Sequence, residues 1–112
     1  GDLVFVSGSI GDAGLGLWQD QQKNQQQDFS QKNNYLLSRH FFPTPRITLG
    51  KMLLQKKLSD CAIDISDGLL AELRHLCCES KLDVEVFLNQ IPLSSAAKKF
   101  LKKNPQKKGL FG

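Results

Sequence analysis

What the sequence has little of narrows its class before any motif is read. No stretch approaches the about 20 consecutive apolar residues of a membrane span, and the first residues lack the basic and apolar regions of a signal peptide, so neither membrane insertion nor secretion is indicated. The 112 residues are too few for a two-lobed architecture, which needs roughly 200 or more. The three cysteines, Cys61, Cys77 and Cys78, are an odd number without CxxC spacing, and the adjacent pair cannot easily bridge. They read as reduced, mostly buried thiols of a cytoplasmic protein. Trp18, the one tryptophan, reads as a packing residue rather than a stacking platform.

Acid is missing from one end. The net charge is +4, but from Lys98 onward there are six lysines and no carboxylate, which leaves nine basic against eleven acidic residues in 1–97, or −2. The basicity therefore belongs to a Lys-rich tail, 98–112. With no nucleic-acid motif beside it, that tail reads as a solvated helix face. A small basic module that binds nucleic acid or another anion is the alternative. The 40% hydrophobic and 23% charged content suits a folded globular body.

Three short apolar segments read as strands: Leu3-Val4-Phe5-Val6, Cys61-Ala62-Ile63-Asp64-Ile65, and the alternating Asp83-Val84-Glu85-Val86-Phe87-Leu88. Helices are expected between them. Asp12 reads as the N-cap of the first, and Asn34 as the cap of a short helix through His40 that Pro43 ends. Thr44-Pro45 starts a third, whose apolar arc (Ile47, Leu49, Met52, Leu53, Leu54, Leu58) suggests a helix pressed on a sheet. A fourth runs from about Gly68 to Ser80 with Leu69, Leu73, Leu76 and Cys77 on one stripe. The last, Ala96 to Lys103, is capped by Ser94 or Ser95 and ended by Asn104-Pro105. Residues 19–34, with seven Gln and three Asn, form a polar helix extension or surface loop. The expected fold class is α/β, a mixed sheet with helices.

Chemistry concentrates in Ala62-Ile63-Asp64-Ile65-Ser66-Asp67-Gly68-Leu69. Strand alternation puts Asp64 and Ser66 on one face, and Asp67 joins them from the turn. Two carboxylates and a hydroxyl form a hard-oxygen set suited to Mg²⁺. The free amides at the start of the following helix favour a phosphate, and Gly68 lets one approach the backbone. The plainer alternative makes Ser66 or Asp67 a helix cap and pairs Asp64 with a base. An acid within an apolar strand is costly unless paired or metal-bound, so Asp64 weighs toward the site.

Other candidates are weaker. Gly8, Gly11, Gly14 and Gly16 have neither dinucleotide-binding nor P-loop spacing and suit tight turns and close helix packing. Arg46 reads as an exposed or capping residue. His75 and Cys78 stand three positions apart on a helix, at i and i+3, but lack a second ligand pair.

Ile63-Asp64-Ile65-Ser66-Asp67-Gly68-Leu69 resembles the aspartate–x–serine–aspartate–glycine–leucine motif of bacterial thiamine-monophosphate kinases, in the aminoimidazole ribonucleotide synthetase-like superfamily. Gly1 to Gly8 with Gly11-Asp12, the Arg39-His40 and Pro43-Thr44-Pro45-Arg46 connection, and Leu88 to Leu93 are similar to further segments of that family. The Asp67-Gly68 pair favours the thiamine-phosphate branch over sister synthetases, which remain the alternative within the superfamily. The resemblance implies that 1–112 is a partial C-terminal domain of that fold. It also implies that Asp64 and Asp67 bind Mg²⁺, and that Ser66 contacts ATP. The implied reaction is ATP-dependent phosphorylation of thiamine monophosphate to thiamine diphosphate by a cytosolic homodimer, with no nucleic-acid or membrane partner. Without the family's other metal-binding aspartates and its glycine–glycine–glutamate–aspartate–tyrosine motif, the chain is expected to be inactive alone.

Overall fold

The structure, a computed structural model, describes residues 1–22 and 34–106. The chain divides into two compact units, Gly1–Pro43 with Phe87–Gly112, and Thr44–Val86.

The first unit is built on three helices: α1 (Asp12–Gln22), α2 (Tyr35–Phe41) and α5 (Ser95–Lys103). The helix between Asn34 and Pro43 forms because Asn34 Oδ1 accepts the Leu36 and Leu37 amides at 3.1 and 3.3 Å, satisfying two donors of the first turn. The Asn34 side-chain amide also donates to Gln19 Oε1 at 3.0 Å, which ties the start of α2 to α1. Gly16 makes the α1–α2 contact possible, since a Cβ there would overlap the Leu36 carbonyl and lie 2.9 Å from His40 Cβ. Leu15, Leu36 and Ala97 form the core, at 1%, 4% and 0% exposure, with Leu93, Ala96 and Phe100 packed against it. Burying a leucine of this kind stabilises by roughly 1.5–3 kcal/mol. Trp18 is indeed a packing residue, its ring meeting Phe100 edge to face at 5.2 Å.

Two long-range bonds complete this unit. The Ser94 hydroxyl caps α5 by accepting the Ala97 amide at 3.0 Å and donates to the buried Asp12 carboxylate at 2.5 Å. The Ile10 amide donates to the Pro92 carbonyl at 2.8 Å. Asp12 is thus the first residue of α1 and a partner of α5, rather than the residue before the helix. A short 3₁₀ turn, Leu88–Gln90, leads toward α5.

The second unit contains α3 (Ile47–Gln55) and α4 (Leu69–Ser80). α3 begins two residues after Pro45, with Arg46 at its N-cap, and none of its residues is buried. Of its apolar arc only Leu53 is half-buried and the rest is exposed, Leu54 to 79%. In α4 the stripe is as expected, with Leu73 buried and Leu69, Leu76 and Cys77 half-buried. The helix stops at Lys81, whose left-handed backbone (φ 54°) lets the Leu82 amide reach back to the Cys77 carbonyl at 3.1 Å.

The expected α/β sheet, and with it the sheet of the aminoimidazole ribonucleotide synthetase-like domain, is not formed: among the described residues there are helices and no strand. The segments 3–6, 61–65 and 83–87 are irregular, and Leu88 belongs to the 3₁₀ turn. No backbone hydrogen bond joins any of the three to another among the described residues. Alternating polarity specifies which side chains would share a face, but a strand exists only when a neighbour takes its amides and carbonyls. Without one, Phe5 is left 86% exposed. The cysteines also differ from expectation: all three are free, but Cys61 and Cys78 are exposed and Cys77 half-buried. Of the Gln-rich segment, 19–22 finishes α1 and 23–33 lies outside the described residues, as does the end of the Lys-rich tail, 107–112. No described helix is long and apolar enough to cross a membrane.

Candidate metal and phosphate site

The segment that carries the chemistry runs from Asp64 into the first turn of α4. Gly68 is the N-cap and bears no capping side chain, so the first amides of α4 lack the hydrogen bond that Ser, Thr, Asp or Asn would supply. Its backbone, at φ 118° and ψ 154°, lies in a region essentially reserved for glycine. A Cβ at this position would meet nothing within 4 Å, so the space above the turn is open. The helix dipole adds a partial positive charge there. This arrangement can receive a phosphate.

Ser66 and Asp67 are held by a residue the sequence reading did not single out. Glu72, at the fourth position of α4, turns its Oε1 back toward the turn. That oxygen accepts the Ser66 hydroxyl at 3.1 Å, the Ser66 amide at 3.4 Å and the Asp67 amide at 3.2 Å. The Asp67 amide is the chief cause that holds the Glu72 carboxyl below its ordinary range. Burial pushes the other way, and the Ser66 hydroxyl and amide and His75 add to the lowering. The available signal was an acid one turn inside a helix that starts without a capping side chain, a variant of the reciprocal cap in which a glutamate bonds back to the N-terminal amides.

Asp64 and Asp67 are both exposed, and neither carboxylate takes a hydrogen bond from another described residue. Ser66 and Asp67 are brought together through Glu72, whereas Asp64 stands on the preceding irregular segment without a bond to either. Among the described residues no three of His, Cys, Asp and Glu gather into a metal-holding group. Exposed carboxylates of this kind, Asp67 next to the open helix start and Asp64 three residues before Asp67, suit Mg²⁺, which is held by one or two carboxylates together with substrate phosphates and waters, rather than by a closed protein cage.

The glycine-rich segment serves turns and packing: Gly8 and Gly11 have φ of 82° and 88°, and Gly16 lies against α2. Arg46 is exposed at the N-cap of α3, and His75 and Cys78 are exposed on α4.

No family model matches the chain, and no solved structure does. Curated sequences do. The thiamine-monophosphate kinase of Haemophilus influenzae is 41% identical over 96 residues, covering 86% of this chain and 28% of that protein. That of Aquifex aeolicus is 36% identical over 115 residues, covering 100% and 36%. That of Bacillus subtilis is 32% identical over 111 residues, covering 99% and 34%. The chain therefore spans about a third of the length of the curated relatives it matches. The resemblance read from Asp64-x-Ser66-Asp67-Gly68-Leu69 and its flanking segments is thus matched along most of the chain by several proteins named thiamine-monophosphate kinase, to which the chain is similar over that stretch.

Proposed function

We propose that these residues are part of an enzyme that transfers the γ-phosphoryl group of ATP to thiamine monophosphate, giving thiamine diphosphate. What carries the reading is the match of 84–100% of the chain to proteins named thiamine-monophosphate kinase. In this reading 1–112 is a portion of the C-terminal domain and is inactive by itself. A cytosolic homodimer is part of the same proposal.

Phosphoryl transfer to a phosphate oxygen needs the donor and acceptor aligned and their negative charges offset, with little covalent chemistry from the protein. Asp64 and Asp67 supply the carboxylates for Mg²⁺, and Ser66 contacts ATP through a hydroxyl whose proton is already directed to Glu72, so that its oxygen accepts from a donor group of the nucleotide, a ribose hydroxyl or the adenine amine. Mg²⁺, when bound, would offset charge on the ATP phosphates and orient them. The open amides of α4 and its dipole favour phosphate oxygen at the same end of the helix. Gly68 keeps that approach free of a side chain.

The test is Asp67→Asn in the full-length protein, which removes one carboxylate charge and keeps the shape. Thiamine diphosphate formation at fixed ATP is expected to need at least about tenfold more Mg²⁺. Unchanged Mg²⁺ dependence would remove Asp67 from the site. Turnover of aminoimidazole-type precursors instead of thiamine monophosphate would transfer the chain to a sister synthetase.

A further inference from the structure

Glu72 is 5% exposed, and a carboxylate withdrawn from water to that extent is unfavourable unless hydrogen-bonded. Its three donors meet that need, but their choice is informative. In an ordinary reciprocal cap the glutamate sits at the third helical position and bonds the amide of the capping residue. Glu72 sits one residue later and bonds Ser66 and Asp67, the two residues before the cap. The turn is therefore fixed from inside the helix, while the amides at the helix start remain open.

We propose that Glu72 is the positioning residue of the Mg²⁺–phosphate site, its Oε1 gathering the Ser66 hydroxyl and the Ser66 and Asp67 amides so that the turn presents Asp67 and the start of α4 to one ligand. The inference rests on the function proposed above. In this scheme Glu72 acts through Oε1, which serves three donors, and not as a metal ligand. The turn is constrained from both sides: the carboxylate holds residues 66 and 67, and residue 68 has a backbone conformation that only glycine adopts without strain. Removing the acceptor frees three donors at once and lets the turn sample other arrangements, which lowers the population that can bind the ligand.

The experiment uses the full-length protein and two variants that preserve the size of the buried side chain. Glu72→Met removes the acceptor, and Glu72→Gln retains an oxygen acceptor without the charge. Calorimetric titration with Mg²⁺ alone is expected to show Kd raised about 10-fold or more in Glu72→Met, as for loss of a residue that orients a ligand, and within about threefold of the parent in Glu72→Gln. The KM for Mg·ATP should follow the same order, with kcat nearly constant. A Glu72→Met protein that melts earlier but binds Mg²⁺ as the parent does would overturn the proposal and leave Glu72 as a helix cap. If Glu72→Met does not fold, a folded Glu72→Gln that loses Mg²⁺ binding as fully as Asp67→Asn would also overturn it, because charge would then matter rather than a placed oxygen. The two readings separate on Asp67→Asn. If that variant keeps Mg²⁺ binding, the site itself is wrong; if it loses binding while Glu72→Met does not, only the positioning role fails.

Discussion

The two units of the chain place their buried groups differently. In Gly1–Pro43 with Phe87–Gly112, burial is shared by Leu15, Leu36 and Ala97, two helices approach until a single Cβ would collide, and a buried acid finds its partner 82 residues away. In Thr44–Val86 the buried residues are Glu72 and Leu73, and α3 has none. Order in the first unit comes from apolar packing, whereas the turn of the second is organised by one carboxylate. A site for a charged ligand benefits from the latter, because its polar groups must stay accessible while being held in place.

That contrast can be broken most sharply at glycine. Gly16→Ala inserts a methyl into the Leu36 carbonyl and should cost about 3 kcal/mol, the upper end for overpacking, read as a lower urea midpoint. The same change at Gly50 of α3, where a Cβ meets nothing within 4 Å, should stabilise by about 0.5–1 kcal/mol through helix propensity and a stiffer unfolded chain. Equal effects at the two glycines would mean that the tight α1–α2 contact is absent in solution.

Next in size is Ser94→Ala, which removes the cap of α5 and the hydroxyl on Asp12 together. The expected loss is about 2 kcal/mol, and it should shrink in an Asp12→Asn background, where the buried charge is gone. Additive losses in the double variant would show that the two side chains do not interact.

The smallest effect concerns pH and sharpens the picture of the second unit. Because the folded Glu72 carboxyl lies below its unfolded value of 4.5, its contribution to stability is fully present above that value and is lost as pH falls through the folded pKa. The protection factors of the Ser66 and Asp67 amides, taken against the intrinsic exchange rate at each pH, should therefore fall on acidification below pH 4.5, with the fall absent in Glu72→Gln. Protection independent of pH would exclude the carboxylate as their acceptor.

Local signals in the sequence were read well where local chemistry decides the outcome. Asn34 caps the helix it was expected to cap, Ser94 takes that place for α5 where Ser94 or Ser95 was expected, and α4 lies within a residue of its expected start, whereas Asp12 falls inside α1 rather than at its cap. The Asp64 to Gly68 turn was legible as a candidate site by residue type and spacing. Its organising residue was not, because Glu72 acts across a helical turn and looks, in sequence, like any acid on an amphipathic helix. Thr44-Pro45 has the form of a helix start, but α3 begins later, with Arg46 at its N-cap and no side-chain cap. The strand expectation failed for a different reason. Alternation in 61–65 and 83–88 describes one edge of a sheet, and no described segment pairs with it. Cys61 was expected to be buried on the same premise and is exposed with that segment.

The bond between Ser94 and Asp12 has a consequence for how the protein is made. A ribosome delivers Asp12 long before Ser94, so α1 and α2 emerge well ahead of α5, while Ala97 is still missing from their core. Closing a loop of this length carries an entropy cost that only the finished contacts can offset. The first unit is therefore completed late, after the intervening 43 residues of the second have emerged, and nascent chains stopped between residues 44 and 94 should leave Leu15 and Leu36 open to proteases and chaperones.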